Sequence, residues 1–364
     1  MRIGGTHYRS IWLDDSPRVI SVIDQRKLPF EFEVFHLESM EDAFFAIREM
    51  VVRGAPLIGV TAAFGLYLAG LNSDPENWCE EVKMAGEKLI SSRPTAINLK
   101  YAVDLGLEEL NCAGSREGMI ERLFHLAAHL AEAEVSRCRR IGEHGLELIR
   151  NCHEKKNDRV NILTHCNAGW LACVDYGTAT APIYLAHEEG IPVHVWVDET
   201  RPRNQGARLT AFELGEHGVP HTVIVDNAGG HLMQNGQVDM VIVGSDRTTR
   251  NGDVANKIGT YLKALAAHDN DIPFYVALPT TSIDLDIREG SETEIENRDG
   301  SEVAMMEGWD EENQKTCRVR ILPGSSEVAN PGFDITPARL VTGMITEKGI
   351  CSASEKGINT LREG

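Results

Sequence analysis

The chain has 364 residues, 42% hydrophobic and 25% charged, with a formal net charge of −19, so a sizeable core is available in one or two domains. The acidic balance excludes a general nucleic-acid or anionic-membrane surface, because the summed field repels both; an anionic substrate has to be met by a local basic pocket. Eight cysteines without a C-x-x-C pair read as free thiols of a reducing compartment. With neither a basic-then-apolar leader nor an uninterrupted apolar run of about 18 residues, the expected location is the cytoplasm, with no membrane partner.

In chain order, residues 18–36 carry two β-rich runs around Lys27-Leu28-Pro29. Four stretches then place apolar residues at three- and four-residue spacings, at about 41–70, 76–92, 95–112 and 115–152, separated by breakers such as Asn72-Ser73-Asp74-Pro75. This predicts a smaller, mainly helical N-terminal domain with a short β-sheet over residues 1–155, ending at the polar joint Arg150–Asp158. From residue 160 compact apolar runs (Val160–Leu163, Val193–Val197, His221–Val225, Asp239–Val243, Pro273–Leu278) alternate with helical patterns at about 177–189, 206–217, 228–234 and 254–268. Strand and crossover helix in alternation define an α/β class, with a doubly wound, Rossmann-like parallel sheet over 156–364. Residues 286–318 read as a polar excursion from it.

Open parallel sheets bind ligands past the carboxyl ends of their strands. Those ends carry Thr164-His165-Cys166-Asn167, Asp198–Gln205, Asp226-Asn227, Ser245-Asp246-Arg247 and Thr280-Thr281-Ser282. Cys166 is either a small buried hydrophobe or a thiol kept reactive by positive potential. His165 is a poor base for it, since neighbours on a strand point to opposite faces, and is expected to be a packed histidine. Asp246 is either a turn aspartate or a carboxyl whose raised pKa lets it shuttle protons with Cys166. Arg201, Arg203, Arg208 and Gln205 suit an anion or a polyhydroxyl substrate, or else form a solvated loop bridged to Glu199 or Glu213. Asp253 reads as an N-cap, placing Asn256 and Lys257 in a first helical turn, where the dipole disfavours a cation; a bound phosphate or simple exposure would explain the lysine. Arg53, Gly54 and Ala55 form a turn that a ligand could approach closely, and Arg93 precedes a proline. Both arginines suit a phosphate or an interface ion pair. No P-loop, G-x-G-x-x-G, H-E-x-x-H or Cys/His cluster occurs, so neither nucleotide cofactor nor metal is indicated.

With these motifs, the chain resembles the S-methyl-5-thioribose-1-phosphate isomerase family nearly end to end: "MVVRGAPLIGVTAAFGL", "SSRPTAINL", "LTHCNAGW", "DETRPRNQGARLTAFEL", "VIVGSDRTTRNGDVANKIGTY" and "NPGFDITPARLVTGMITEKG". The superfamily also holds regulatory subunits of translation initiation factor 2B and ribose-1,5-bisphosphate isomerases. The resemblance implies a cofactor-independent, homodimeric aldose–ketose isomerase of methionine salvage. It would convert 5-methylthioribose 1-phosphate to 5-methylthioribulose 1-phosphate, with Cys166 and Asp246 as the catalytic pair. Substrate contacts are implied for Arg53, Gly54, Ala55, Arg93, Gln205, Asn256 and Lys257. Alternatives are an isomerase of 5-deoxyribose 1-phosphate or ribose 1,5-bisphosphate, and a non-catalytic sugar-phosphate-binding regulatory subunit. Departures from the family pattern at "IENRDGSEV" and "NPGFDITP" are expected to lie away from the catalytic pair and to affect only local loop shape.

Overall fold

The structure is a computed structural model describing residues 1–14, 16–112 and 114–363. An antiparallel sheet of Ile11–Leu13, Ile20–Ile23 and Val34–Leu37 leads into helices α1 (Met40–Arg48), α2 (Ala55–Asn72), α3 (Trp78–Ser92), α4 (Ile97–Cys112) and α5 (Arg116–Lys156). The single helix expected over 41–70 is therefore two. The break falls at Met50 (φ 57°) and Gly54 (φ 94°), and a Cβ at Gly54 would lie 2.4 Å from the Ala172 carbonyl oxygen. Only glycine allows this approach, and Pro56 in the first turn restarts the helix. By length and composition α2 could cross a membrane, which corrects the reading that no segment comes near a span. In the fold it is the central helix of the bundle, apolar all round because it is covered all round.

Helix α5 has 41 residues and serves two cores. Met119, Leu123 and Leu130 pack with α2 and α4, whereas Ile141, Leu146 and Ile149 pack with the following sheet. After its left-handed cap at Asn157 come strands β1 (Val160–Thr164), β2 (Val193–Asp198), β3 (His221–Ile224), β4 (Met240–Val243), β5 (Phe274–Ala277), β6 (Gly343–Thr346) and β7 (Gly349–Cys351). Their spatial order is 3-2-1-4-5-6-7, parallel throughout except for the β6–β7 hairpin. The chain winds outward from β1 in one direction to β3 and, from β4, in the other. The β1–β4 junction is thus the topological switch point, where a crevice opens at the strand ends.

Residues 254–257 correct a second expectation. Val254–Lys257 is a strand, paired antiparallel with Arg247–Thr249 on one side and Phe333–Thr336 on the other, and helix α6 begins only at Thr260 (Thr260–Asp269). Asp253 does not cap it. Its carboxylate accepts from the backbone N–H of Gly290 and Ala338, and the first N–H groups of α6 are met by Asp334, at 2.7 Å from Gly259 N and 3.2 Å from Tyr261 N. Local spacing reads as a helix here; partners some 80 residues away make it a strand. The excursion 286–318 carries most of the hairpin Met305–Asp310/Lys315–Arg320, which runs two residues past its expected end.

Candidate functional site

At the switch point Cys166 follows β1 and Asp246 follows β4. Cys166 adopts φ +64°, turning the chain out of the strand. The two residues line one cavity of about 400 Å³, together with Arg53, Gly54, Arg93, Gln205 and Lys257. An adjoining cavity shares Arg53, Gly54, Cys166 and Asp246, and adds Ala55 and Asn256. All nine residues singled out from the sequence therefore surround one crevice, contributed by the turn before α2, the segment before α4, the ends of β1, β2 and β4, and the strand Val254–Lys257.

The electrostatics follow from burial. Desolvation raises the Cys166 thiol above its ordinary range, against the pull of Arg53 and Lys257. It also raises Asp246, which retains some solvent access but is set deep in the crevice, against Lys257, Arg53 and Arg93. It lowers Lys257, whose ammonium is supported by Cys166 and Asp246. Each group is thus pushed towards its neutral form. Among the described residues, Lys257 Nζ donates only to the Gly332 carbonyl, at 2.8 Å, and it lies 4.6 Å above the Phe333 ring. Arg53 bonds the Asn167 backbone carbonyl at 2.8 Å and its side-chain oxygen, and Arg93 pairs with Glu296 at 3.3 Å. Among the described residues, Arg93 Nε and Gln205 Oε1 are buried without partners, an arrangement that awaits a polar ligand.

His165 is packed, as expected: Nδ1 lies 2.9 Å from Asp198 and Nε2 2.8 Å from the Ile258 carbonyl. Among the described residues, no ion pair joins the arginine loop to Glu199 or Glu213. Arg203 pairs with Glu302 and Arg208 with Glu307, both on the polar excursion, while Glu213 is buried against Asn167, Tyr184 and the N–H groups of Trp170 and Leu171. Burial raises Glu213 to about 7.

The C-terminal segments do not lie away from the pair. Arg298 of "IENRDGSEV" and Phe333 of "NPGFDITP" line the cavity that holds Cys166 and Asp246. Sequence reasoning missed both; an arginine in an otherwise acidic tract was the available signal. Among the described residues, two groups could offer ligand atoms to a metal: Glu134/Cys138/Cys173 and His165/Asp198/Asp226. In the second, Lys263 Nζ already sits 3.1 Å from Asp198. The side chain of Cys112 lies outside the described residues; the other seven cysteines are free thiols.

A Rossmann-like sheet whose switch-point crevice takes residues from a preceding helical half agrees with the sequence matches: the chain belongs to the initiation factor 2 subunit family, which matches residues 51–353. Within it, the chain is 55% identical over 365 residues to the methylthioribose-1-phosphate isomerase of Desulfatibacillum aliphaticivorans (99% of this chain, 98% of that one). It is 57% identical over 362 residues to that of Methylorubrum populi (99% and 98%). Among solved structures, the 5-methylthioribose 1-phosphate isomerase of Pyrococcus horikoshii OT3 superposes with a TM-score of 0.85 at 36% identity, covering 98% of this chain and 96% of that one. A protein from A. fulgidus described as translation initiation factor eIF-2B, subunit delta, superposes at 0.81 with 37% identity (98% and 100%).

Proposed function

We propose that the chain is an aldose–ketose isomerase of methionine salvage that converts 5-methylthioribose 1-phosphate to 5-methylthioribulose 1-phosphate. The observation that carries this is the meeting of a thiol and a carboxyl, both held towards their protonated forms, with Arg53, Arg93 and Lys257 in one crevice. A ring-closed anomeric phosphate has no free carbonyl, so the ring must open while phosphate stays on C1. The cations grip the phosphate, and burial keeps water from displacing it. Asp246, as the acid, gives its proton to the ring oxygen. The C1–O bond breaks, and the resulting carboxylate later takes the proton of the C2 hydroxyl.

The hydrogen on C2 must reach C1. Cys166 could remove it as a thiolate and return it to C1, or it could pass directly as hydride while Cys166 walls the cationic centre. The raised thiol pKa favours the hydride route, because a neutral thiol is no base near pH 7. Turnover in deuterated water tests the hydride route: deuterium at C1 of the product rules out a pure hydride shift, whereas its absence is compatible with either a hydride shift or a proton transfer shielded from solvent.

The C5 substituent is assigned to an annex of the crevice lined by Ile58, Ala96, Ala255, Ile295 and Phe333. Of the two arginines on its border, Arg93 is committed to the phosphate on C1 and Arg247 is engaged by the Thr95 carbonyl at 2.8 Å, while Glu294 adds negative charge to the lining. This favours an apolar methylthio group over a second phosphate. The likeness to the A. fulgidus subunit supports a second reading, a sensor that binds sugar phosphate without turnover. Phosphorus and carbon NMR of the purified protein with 5-methylthioribose 1-phosphate decides: a ketose 1-phosphate is expected, and binding without conversion overturns the enzyme reading. We further propose a homodimer, supported by the exposed Val223 on the edge strand β3 and Val225 just past it, which light scattering tests.

A further inference from the structure

The Cys166 peptide is held on both sides by threonine hydroxyls. Its N–H donates to Thr200 Oγ1 at 2.8 Å, and its carbonyl accepts from Thr210 Oγ1 at 2.7 Å. Thr200 is itself in an unfavourable conformation, a β-branched residue at φ +65°. It is kept there because the Asp226 carboxylate accepts the N–H groups of both Thr200 and Arg201 at 2.7 Å, and because its hydroxyl donates to the Asp198 carbonyl at 3.0 Å. Thr210 closes a π-helical turn, Gly206–Thr210, a local widening that recurs at functional sites. That turn can sit on β2 because residue 206 has no side chain: a Cβ there would fall 1.7 Å from the Asp198 carbonyl oxygen. The Thr210 hydroxyl also accepts from Asn167 Nδ2 at 3.2 Å, and Asn167 holds Arg53.

We infer that Thr200 and Thr210 are positioning residues. They clamp the peptide of Cys166 in the left-handed conformation that presents its thiol to the crevice, and through Asn167 they register it against Arg53. A strained backbone persists only where its surroundings over-determine it, and here both hydrogen-bonding groups of the strained residue are fixed by side chains whose own positions are fixed in turn. The inference rests on the isomerase reading for its kinetic consequence, but not for its geometric one.

The test compares Thr200→Val, which keeps the shape and loses the hydroxyl, with Thr200→Ser, which keeps the hydroxyl. Thr210→Val serves as a second probe should the first fail to fold. In Thr200→Val, kcat is expected to fall about tenfold or more with KM within about twofold, since a displaced reacting group costs rate more than binding; Thr200→Ser is expected to recover most of the loss. Without substrate, the rate and pH profile of iodoacetamide alkylation at Cys166, read by peptide mass spectrometry, should change in Thr200→Val and return in Thr200→Ser at similar thermal midpoints. An unchanged alkylation profile in both valine variants overturns the inference. So does a change shared equally by the valine and serine variants together with a lowered midpoint, which would mark general damage to the fold. If the wild type shows no turnover at all, the isomerase reading fails while the alkylation comparison still decides the clamp.

Discussion

Two buried lysines near the β1 and β2 strand ends show how differently the molecule treats the His165 cluster and the front of the crevice. Around His165, Lys263 is 3.1 Å from Asp198 and donates to the Asp226 carbonyl. At the front, among the described residues, Lys257 meets a single backbone carbonyl and an aromatic face, and the Asp246 carboxyl receives no side-chain hydrogen bond. Around His165, charge is neutralised within the protein and serves the fold. In front it is left underpaired, which costs stability and suits a ligand that completes it.

The strongest break in that comparison comes from the front. Cys166→Ser and Asp246→Asn are expected to bind substrate with near-native affinity and to lose about 10³-fold in turnover, measured by NMR assay alongside calorimetry. Next, the two lysines should diverge. Lys263→Met takes the ammonium from the buried Asp198 carboxylate, leaving it, among the described residues, His165 alone, and should lower stability by about 3–5 kcal/mol. Lys257→Met removes an unpaired buried cation and should leave the thermal midpoint equal or higher, while sugar-phosphate affinity falls about 10–100-fold. A common destabilisation of both variants would erase the distinction.

Smaller effects concern pH. Glu213, raised by burial to about 7, holds its proton in the native state where the unfolded chain has released it. Its contribution to stability therefore falls as pH rises from about 4.5 to about 7 and is flat above. Thermal midpoints across that window should fall less steeply in Glu213→Gln than in the wild type. Glu302 has the opposite sign. Burial works against its ionisation, yet pairing with Arg298 and Arg203 holds it down to about 2, so its stabilisation is complete above about pH 4.5 and is lost between there and about pH 2. Glu302→Gln should flatten the acid limb of the stability profile, its cost being largest near neutrality, where the ionised carboxylate is fully paired, and smallest near pH 2.

The strand ends were legible because each apolar run stops at an abrupt polar tetrad, and parallel topology gathers such tetrads on one edge whatever the details between them. Cys166 and Asp246 could be placed together for that reason alone. What stayed hidden depends on pairing across long stretches of chain. The segment Val254-Ala255-Asn256-Lys257 has the local marks of a helix start, and nothing nearby announces that Phe333–Thr336 will form its ladder. Arg298 was obscured in the same way: its tract looks solvated until Glu296 and Glu302 fold it against the crevice. The split between α1 and α2 was written in Arg53-Gly54-Ala55-Pro56, but its necessity lies in Ala172, more than a hundred residues on.

Helix α5, rising about 1.5 Å per residue over 41 residues, spans roughly 60 Å and has one end in each hydrophobic core. A rod shared in this way is a mechanical coupling: melting either core frees half of a helix that the other half still holds, at a cost in cooperativity that neither core can avoid. The helical bundle and the sheet should therefore come apart in a single calorimetric transition, and the crevice between them, with Arg53 on one side and Cys166 on the other, exists only while both stand.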